Sequence, residues 1–184
     1  GKETKKHIIS DFKPYDMEDL ALGSCGEKTC LFIADIGDNR KKRKNLTILG
    51  IEEKSKFSKN INPLFKINLK YPNEKYDAES IAVHPSGNIY LLSKIVDNKN
   101  RRAMPAKLFF ISKEQVKKAM ADSEITITLK EVATLDLPYQ LYNYNLWGRI
   151  PTAMDFNSDA SELAILTYQA IFIMKFNEEK ILNQ

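Results

Sequence analysis

Two short stretches of this sequence place carboxylates where they could act together. Tyr15-Asp16-Met17-Glu18-Asp19-Leu20-Ala21-Leu22 and Tyr76-Asp77-Ala78-Glu79-Ser80-Ile81-Ala82-Val83 share the pattern Y-D-x-E-x-[LI]-A-[LV]. Alternate residues of an extended strand point to one side, so Asp16 falls beside Glu18 and Asp77 beside Glu79. Gathered carboxylates repel one another unless they bind a cation, share protons or pair with Lys or Arg. The chemistry open to them is ligation of a hard cation such as calcium, or proton abstraction by a glutamate. Glu18 and Glu79 are the candidates for both roles, because glutamate has no turn-forming habit to explain it. Asp16 and Asp77 are read as ligand-binding.

A second acidic group, Asp35-Ile36-Gly37-Asp38-Asn39, follows the next apolar run, and Asp97-Asn98 stands in a similar place later. Asp35 and Asp38 could ligate a metal through carboxylate oxygens, with Gly37 relaxing the backbone, or could serve the turn itself. No serine, cysteine or threonine nucleophile stands beside a base, and His7 and His84 lack metal-ligand spacing. Tyr139, Tyr142, Tyr144 and Trp147 cluster in one loop. Tyr144 and Trp147 are read as gripping a flat ligand, the alternative being that the loop closes one end of the fold.

Cys25 and Cys30 flank a short glycine-containing turn, so across a hairpin they could form a disulfide; two free thiols are the alternative. The net charge of +4 sits largely in Arg40-Lys41-Lys42-Arg43-Lys44. No aromatic residue interleaves that run, as a single-strand binder would require, so it is read as a solvated hairpin tip and no nucleic-acid partner is expected. No stretch approaches the length of a membrane span. The chain is 43% hydrophobic and 28% charged, the balance of an ordinary globular domain.

The elements that must position these residues repeat with them. A degenerate third copy of the motif is Ile150-Pro151-Thr152-Ala153-Met154-Asp155-Phe156. Each copy leads through a turn into a short apolar run: Leu31 to Asp35, Asn88 to Lys94, and Ser161 to Thr167. A third strand follows at Leu46 to Glu52, Lys107 to Ile111 and Ala170 to Phe176. Alternating outer strands are expected at Phe65 to Tyr71 and Ile125 to Leu129, with one helix near Ser112 to Met120 capped by Ser112. Four antiparallel strands per unit is the sequence form of β-propeller blades, so the expected fold is all-β: three blades at about residues 13–71, 76–136 and 150–176 of a single 1–184 segment. Residues 5–12 are read as an outer strand of a neighbouring blade. Three blades cannot close, which leaves a six-bladed ring made either by further blades or by a homodimer.

Asp16 to Ala21, followed by Ile33-Ala34-Asp35-Ile36-Gly37-Asp38-Asn39, resembles a family of exported bacterial β-propeller proteins marked by D-W-E-D-[IL]-A and [GA]-D-I-G-D-N. Asp77 to Ala82 is similar to that family's D-A-E-[AG]-[IL]. The likeness spans most of the chain; Met17 replaces the usual Trp, and Thr152 stands where a third acidic residue is expected. More distantly, the fold and the D-x-E entry resemble six-bladed phytase-like and esterase-like propellers with calcium at an acidic channel mouth. The resemblances imply a periplasmic or secreted protein that binds a small-molecule or protein ligand at an acidic mouth, with calcium as the cofactor. The alternative is a calcium-dependent phytase-like or esterase-like hydrolase, so catalysis is left open at this point.

Overall fold

A computed structural model describes residues 5–100, 102–138 and 148–183. The chain runs through β1 (Ile8–Ile9), β2 (Met17–Cys25), β3 (Lys28–Asp35), β4 (Leu46–Glu52), β5 (Asn60–Ile61) and β6 (Phe65–Lys70). It continues through β7 (Asp77–Val83), β8 (Ile89–Lys94), β9 (Val96–Asp97), β10 (Arg102–Ala103), β11 (Ala106–Ile111), α1 (Lys113–Ala121), β12 (Thr126–Thr128) and β13 (Lys130–Leu135). The last elements are β14 (Pro151–Phe156), β15 (Glu162–Thr167), β16 (Ile171–Lys175) and α2 (Glu178–Leu182).

The protein is all-β in architecture, built on three successive antiparallel meanders. The first sheet is ordered β12-β6-β4-β3-β2, the second β13-β11-β8-β7 and the third β14-β15-β16. Short apolar runs bounded by turn residues make these strands. Burial of both faces gives β8 a near-continuous apolar run, Ile89 to Leu92, while half-burial gives β6 its alternation; β7 is buried along its whole length although it carries Asp77, Glu79 and Ser80. Strands β2, β7 and β14 lie side by side, β2 against β7 and β7 against β14. One apolar core, including Phe32, Ile48, Ile81 and Phe109, fills the space between the first and second sheets. Another, including Tyr90, Leu108, Met154 and Ile165, fills the space between the second and third.

All three opening hairpins carry the same irregularity. Pairing skips one residue between Met17 and Asp19, between Ala78 and Ser80, and between Pro151 and Ala153. The skipped residues are Glu18, Glu79 and Thr152, the same position of the repeated motif each time. A bulge leaves one residue unpaired and re-aims its side chain. The repeat is thus a repeat of backbone geometry as well as of sequence.

Two expected strands lie elsewhere. Residues 125–129 do not form the outer strand of the second sheet; β12 pairs in parallel with β6 and extends the first sheet. Helix α1 packs on β6 and delivers the chain there, and the Leu129 N–H donates to the Lys70 carbonyl at 2.9 Å. The second sheet takes β13 as its fourth strand instead. Residues 5–12 form no outer strand either. Ile8–Ile9 lies parallel to Asn60–Ile61, with the Ile8 N–H on the Lys59 carbonyl and the Ser10 N–H on the Ile61 carbonyl. Two paired residues are all that this segment offers a neighbour, and the β4–β6 connection of its own sheet takes them.

Local expectations elsewhere match the structure. Ser112 caps α1, accepting the Gln115 N–H while the Gln115 side chain accepts the Ser112 N–H. Cys25 and Cys30 form a disulfide across the β2–β3 turn, with Cα atoms 5.8 Å apart. No helix among the described residues is long and apolar enough to cross a membrane.

Candidate functional site

The loop after β3 folds back over the start of β2 because its charges have local partners. The Asp35 carboxylate accepts the N–H groups of Tyr15 and Asp16 at 3.1 and 2.6 Å, and its other oxygen meets the Arg43 guanidinium at 2.8 Å. Arg43 also donates to the Gly37 carbonyl and lies over the Tyr15 ring, 4.8 Å from its centroid. Asp38 accepts the N–H groups of Lys42 and Arg43, closing the turn. Asp35 and Asp38 therefore act behind the site rather than facing into it. One member of the basic run, Arg43, is buried in this bracing and is not part of a solvated tip. Asp97 is likewise a turn residue, accepting the N–H groups of Lys99 and Asn100.

That bracing sets Asp16, just ahead of β2, beside Glu18 at the first bulge. Asp77 reaches the same place from the start of β7, and one oxygen from each of the three lies within 4.8 Å of the others. Gly37 passes so close that a Cβ there would fall on the Asp16 and Glu18 carboxylates. Asp77 is held by the Asp38 N–H at 2.7 Å and by the Lys94 ammonium at 3.1 Å. Glu79, at the equivalent bulge of β7, is ion-paired to the same Lys94. Asp16 and Glu18 have no Lys or Arg partner among the described residues; Asp16 accepts the Asn39 side-chain amide at 3.4 Å and shares a hydrogen bond with Glu18.

Charge balance governs what this cluster does. Burial pushes the Glu18 carboxyl up to about 8, and the neighbouring Glu79, Asp16 and Asp77 push the same way. Glu18 therefore holds a proton at neutral pH unless positive charge arrives. Burial also raises Glu79, with Lys94 pulling against it. Burial pulls Lys94 down, but its bonds to Glu79 and Asp77 outweigh that and hold it firmly protonated. The cluster is short of cationic charge, and its donors are carboxylate oxygens, the set that calcium or magnesium takes. A hollow of about 260 Å³ opens beside it, bordered by Asn39, Lys41, Asp77, Lys94, Ile150 and Tyr168.

The structure brings Asp16, Glu18 and Asp77 together and keeps Glu79 one step aside in its ion pair. The third sheet adds no carboxylate here, since Ile150 and Thr152 occupy the positions of Asp77 and Glu79 in its copy of the motif. Tyr144 and Trp147 lie outside the described residues. His84 is a packing and capping residue: its ring meets Phe156 edge-on and its Nδ1 is 2.7 Å from the Ser86 hydroxyl.

Three residues passed over in the sequence matter at this site. Lys94 stands directly across from Asp77 in the β7–β8 ladder, a pairing set by the one-residue skip at Glu79, since an uninterrupted register from Val83 and Ile89 would place Ile95 there. Arg43 looked like one charge among five. Asp19 accepts the N–H of Leu20 and, across the gap between sheets, the N–H of Ile81 at 3.0 Å. Burial raises the Asp19 carboxyl, although the backbone N–H groups of Ile81, Leu20 and Met154 work against the rise. It ties β2 to its neighbours on the side where the carboxylates converge. No model of a known protein family and no curated protein matches this chain.

Proposed function

We propose that the chain is a run of three β-propeller blades that binds a divalent cation, calcium by its donor set, at Asp16, Glu18 and Asp77. The cation in turn holds an oxygen-bearing ligand in the hollow over Asp77 and Lys94. The observation that carries this is the convergence of three carboxylates from two sheets with too little positive charge to neutralise them. Bound calcium supplies that charge and leaves coordination positions for water or ligand oxygens. The blade reading is supported by the bulge recurring at Glu18, Glu79 and Thr152 and by the side-by-side inner strands. The disulfide supports an exported protein, periplasmic or secreted, because such bonds persist in oxidising compartments.

The test is calorimetric titration with calcium, alongside thermal melts with and without a chelator. Calcium should bind and raise the melting temperature, and Glu18→Gln, Asp77→Asn and Gly37→Ala should each abolish both effects. Gly37→Ala acts by displacing two ligands at once. Absence of any heat or melting shift at millimolar calcium overturns the reading.

One observation favours a hydrolytic role for the same site. The Lys41 and Lys94 ammonium groups border the hollow beside the carboxylates, where an anionic substrate would be held. In that case a cation held by Asp16, Glu18 and Asp77 would supply Lewis-acid polarisation for a phosphate or carboxylate ester, and Glu18 or Glu79 would take the proton from the attacking water. Chromogenic esters of both classes decide it. Turnover that survives chelation, or survives both Glu18→Gln and Glu79→Gln, sinks the hydrolytic version.

A further inference from the structure

The ladder registers and the shared bulge align the three sheets residue by residue. Phe32, Tyr90 and Ala164 are equivalent; so are Ala34, Leu92 and Leu166, and so are Ile48, Leu108 and Ile171. In the first two sheets this face is buried against the next sheet along the chain. In the third it is open: Leu166 is 44% exposed, Ile171 66% and Ile173 59%. The opposite face behaves in mirror fashion. Ile81 of the second sheet and Met154 of the third are buried against the preceding sheet. Their equivalent in the first sheet, Leu20, is 60% exposed, and Leu22 beside it is 54% exposed. The outer part of that face, Leu49 and Ile51, is already buried within the chain.

The first and third sheets thus present two different apolar faces. Each is of the kind that the chain's own interior twice shows packed against the other. From this we infer that a second copy of the chain covers both: the first sheet of each copy packs on the third sheet of the other, about a twofold axis. Apolar faces of this kind are costly to leave in water. A single head-to-tail contact would leave two faces open and propagate, whereas a closed ring leaves none. Two copies give six sheets, inside the usual four to eight of a propeller; three copies would give nine, outside it. The inference rests on the blade reading above but not on its cation. Ring closure would set two carboxylate clusters on the same mouth.

Light scattering on the purified chain tests this. The expected species is a dimer of twice 21.1 kDa. Leu22→Glu on the first sheet and Ile173→Lys on the third should each give a folded monomer, since both side chains lie in solvent within one copy. Mixing the two variants should restore the dimer, because that pair keeps one contact wild-type and sets Glu against Lys in the other. A face-to-like-face dimer would not be rescued in this way. A monodisperse wild-type monomer with a cooperative melt at high micromolar concentration overturns the inference, and so does a dimer indifferent to both substitutions. Glu18→Gln keeps the two proposals apart: it should lose calcium and remain dimeric. A monomer that still binds calcium would defeat the ring and leave the cation site standing.

Discussion

Glu18→Gln should remove most of the protein's loss of stability with rising pH, and so measure the charge deficit directly. The Glu18 carboxyl rises from an ordinary 4.5 to about 8 on folding, through burial first and then the neighbouring carboxylates. Between those values the folded chain keeps a proton that the unfolded chain has lost, so stability falls as pH rises from about 4.5 to about 8. A shift of that size corresponds to about 5 kcal/mol if fully expressed. Glu18 keeps contact with solvent, and screening reduces the expected loss to about 2 kcal/mol, still a large part of a domain's stability. Glu79 and Asp19 are raised by burial and add a shallower slope of the same sign. Urea unfolding followed by circular dichroism across this range, with chelator present, gives the profile. The wild type should lose stability steadily toward pH 8, and the glutamine variant should be more stable than wild type at pH 8 by about 2 kcal/mol. Saturating calcium should reverse the wild-type slope, because the cation favours the ionised carboxylates, and should leave the variant unchanged. A flat wild-type profile, or a variant with the full wild-type slope, refutes the reasoning.

Arg43→Met should cost about 3 to 5 kcal/mol, since it strands the buried Asp35 carboxylate; a loss under about 1 kcal/mol in urea unfolding would show that Asp35 finds another partner. Reducing the Cys25–Cys30 bond should lower stability by about 2 kcal/mol, the loop-closure value for so short a ring. Native intact mass should rise by two hydrogen atoms on reduction, and alkylatable thiols in the unreduced protein would contradict the bond. The Tyr71 hydroxyl is buried with no hydrogen-bond partner among the described residues, so Tyr71→Phe should leave stability unchanged or raise it by about 1 kcal/mol. A clear loss in thermal melts would show that the hydroxyl is bonded after all.

Much of the scaffold is written in local pattern. Short apolar runs between turn residues placed most of the strands, because alternation and burial act on neighbouring residues wherever the chain goes. The same holds for the Ser112 cap and for two cysteines set across one turn. The grouping of Asp16, Glu18 and Asp77 was also legible, since a motif copied on successive inner strands brings its polar ends to one side.

What the pattern did not hold is pairing between distant residues. The alternation of Ile125 to Leu129 specifies a half-buried strand but not whose edge it joins; the docking of α1 on β6 decided that. Asp35 and Glu79 have the composition of metal ligands, yet Arg43 and Lys94 reach them first, one by a loop reversal and one by ladder register. Asp19 gains its role from the Ile81 N–H, which belongs to another sheet. Residue type and spacing thus determined which groups can carry charge and which strands can form. Only the tertiary structure decided which charges are neutralised, because Coulomb attraction and desolvation depend on distances that the order of residues along the chain does not contain.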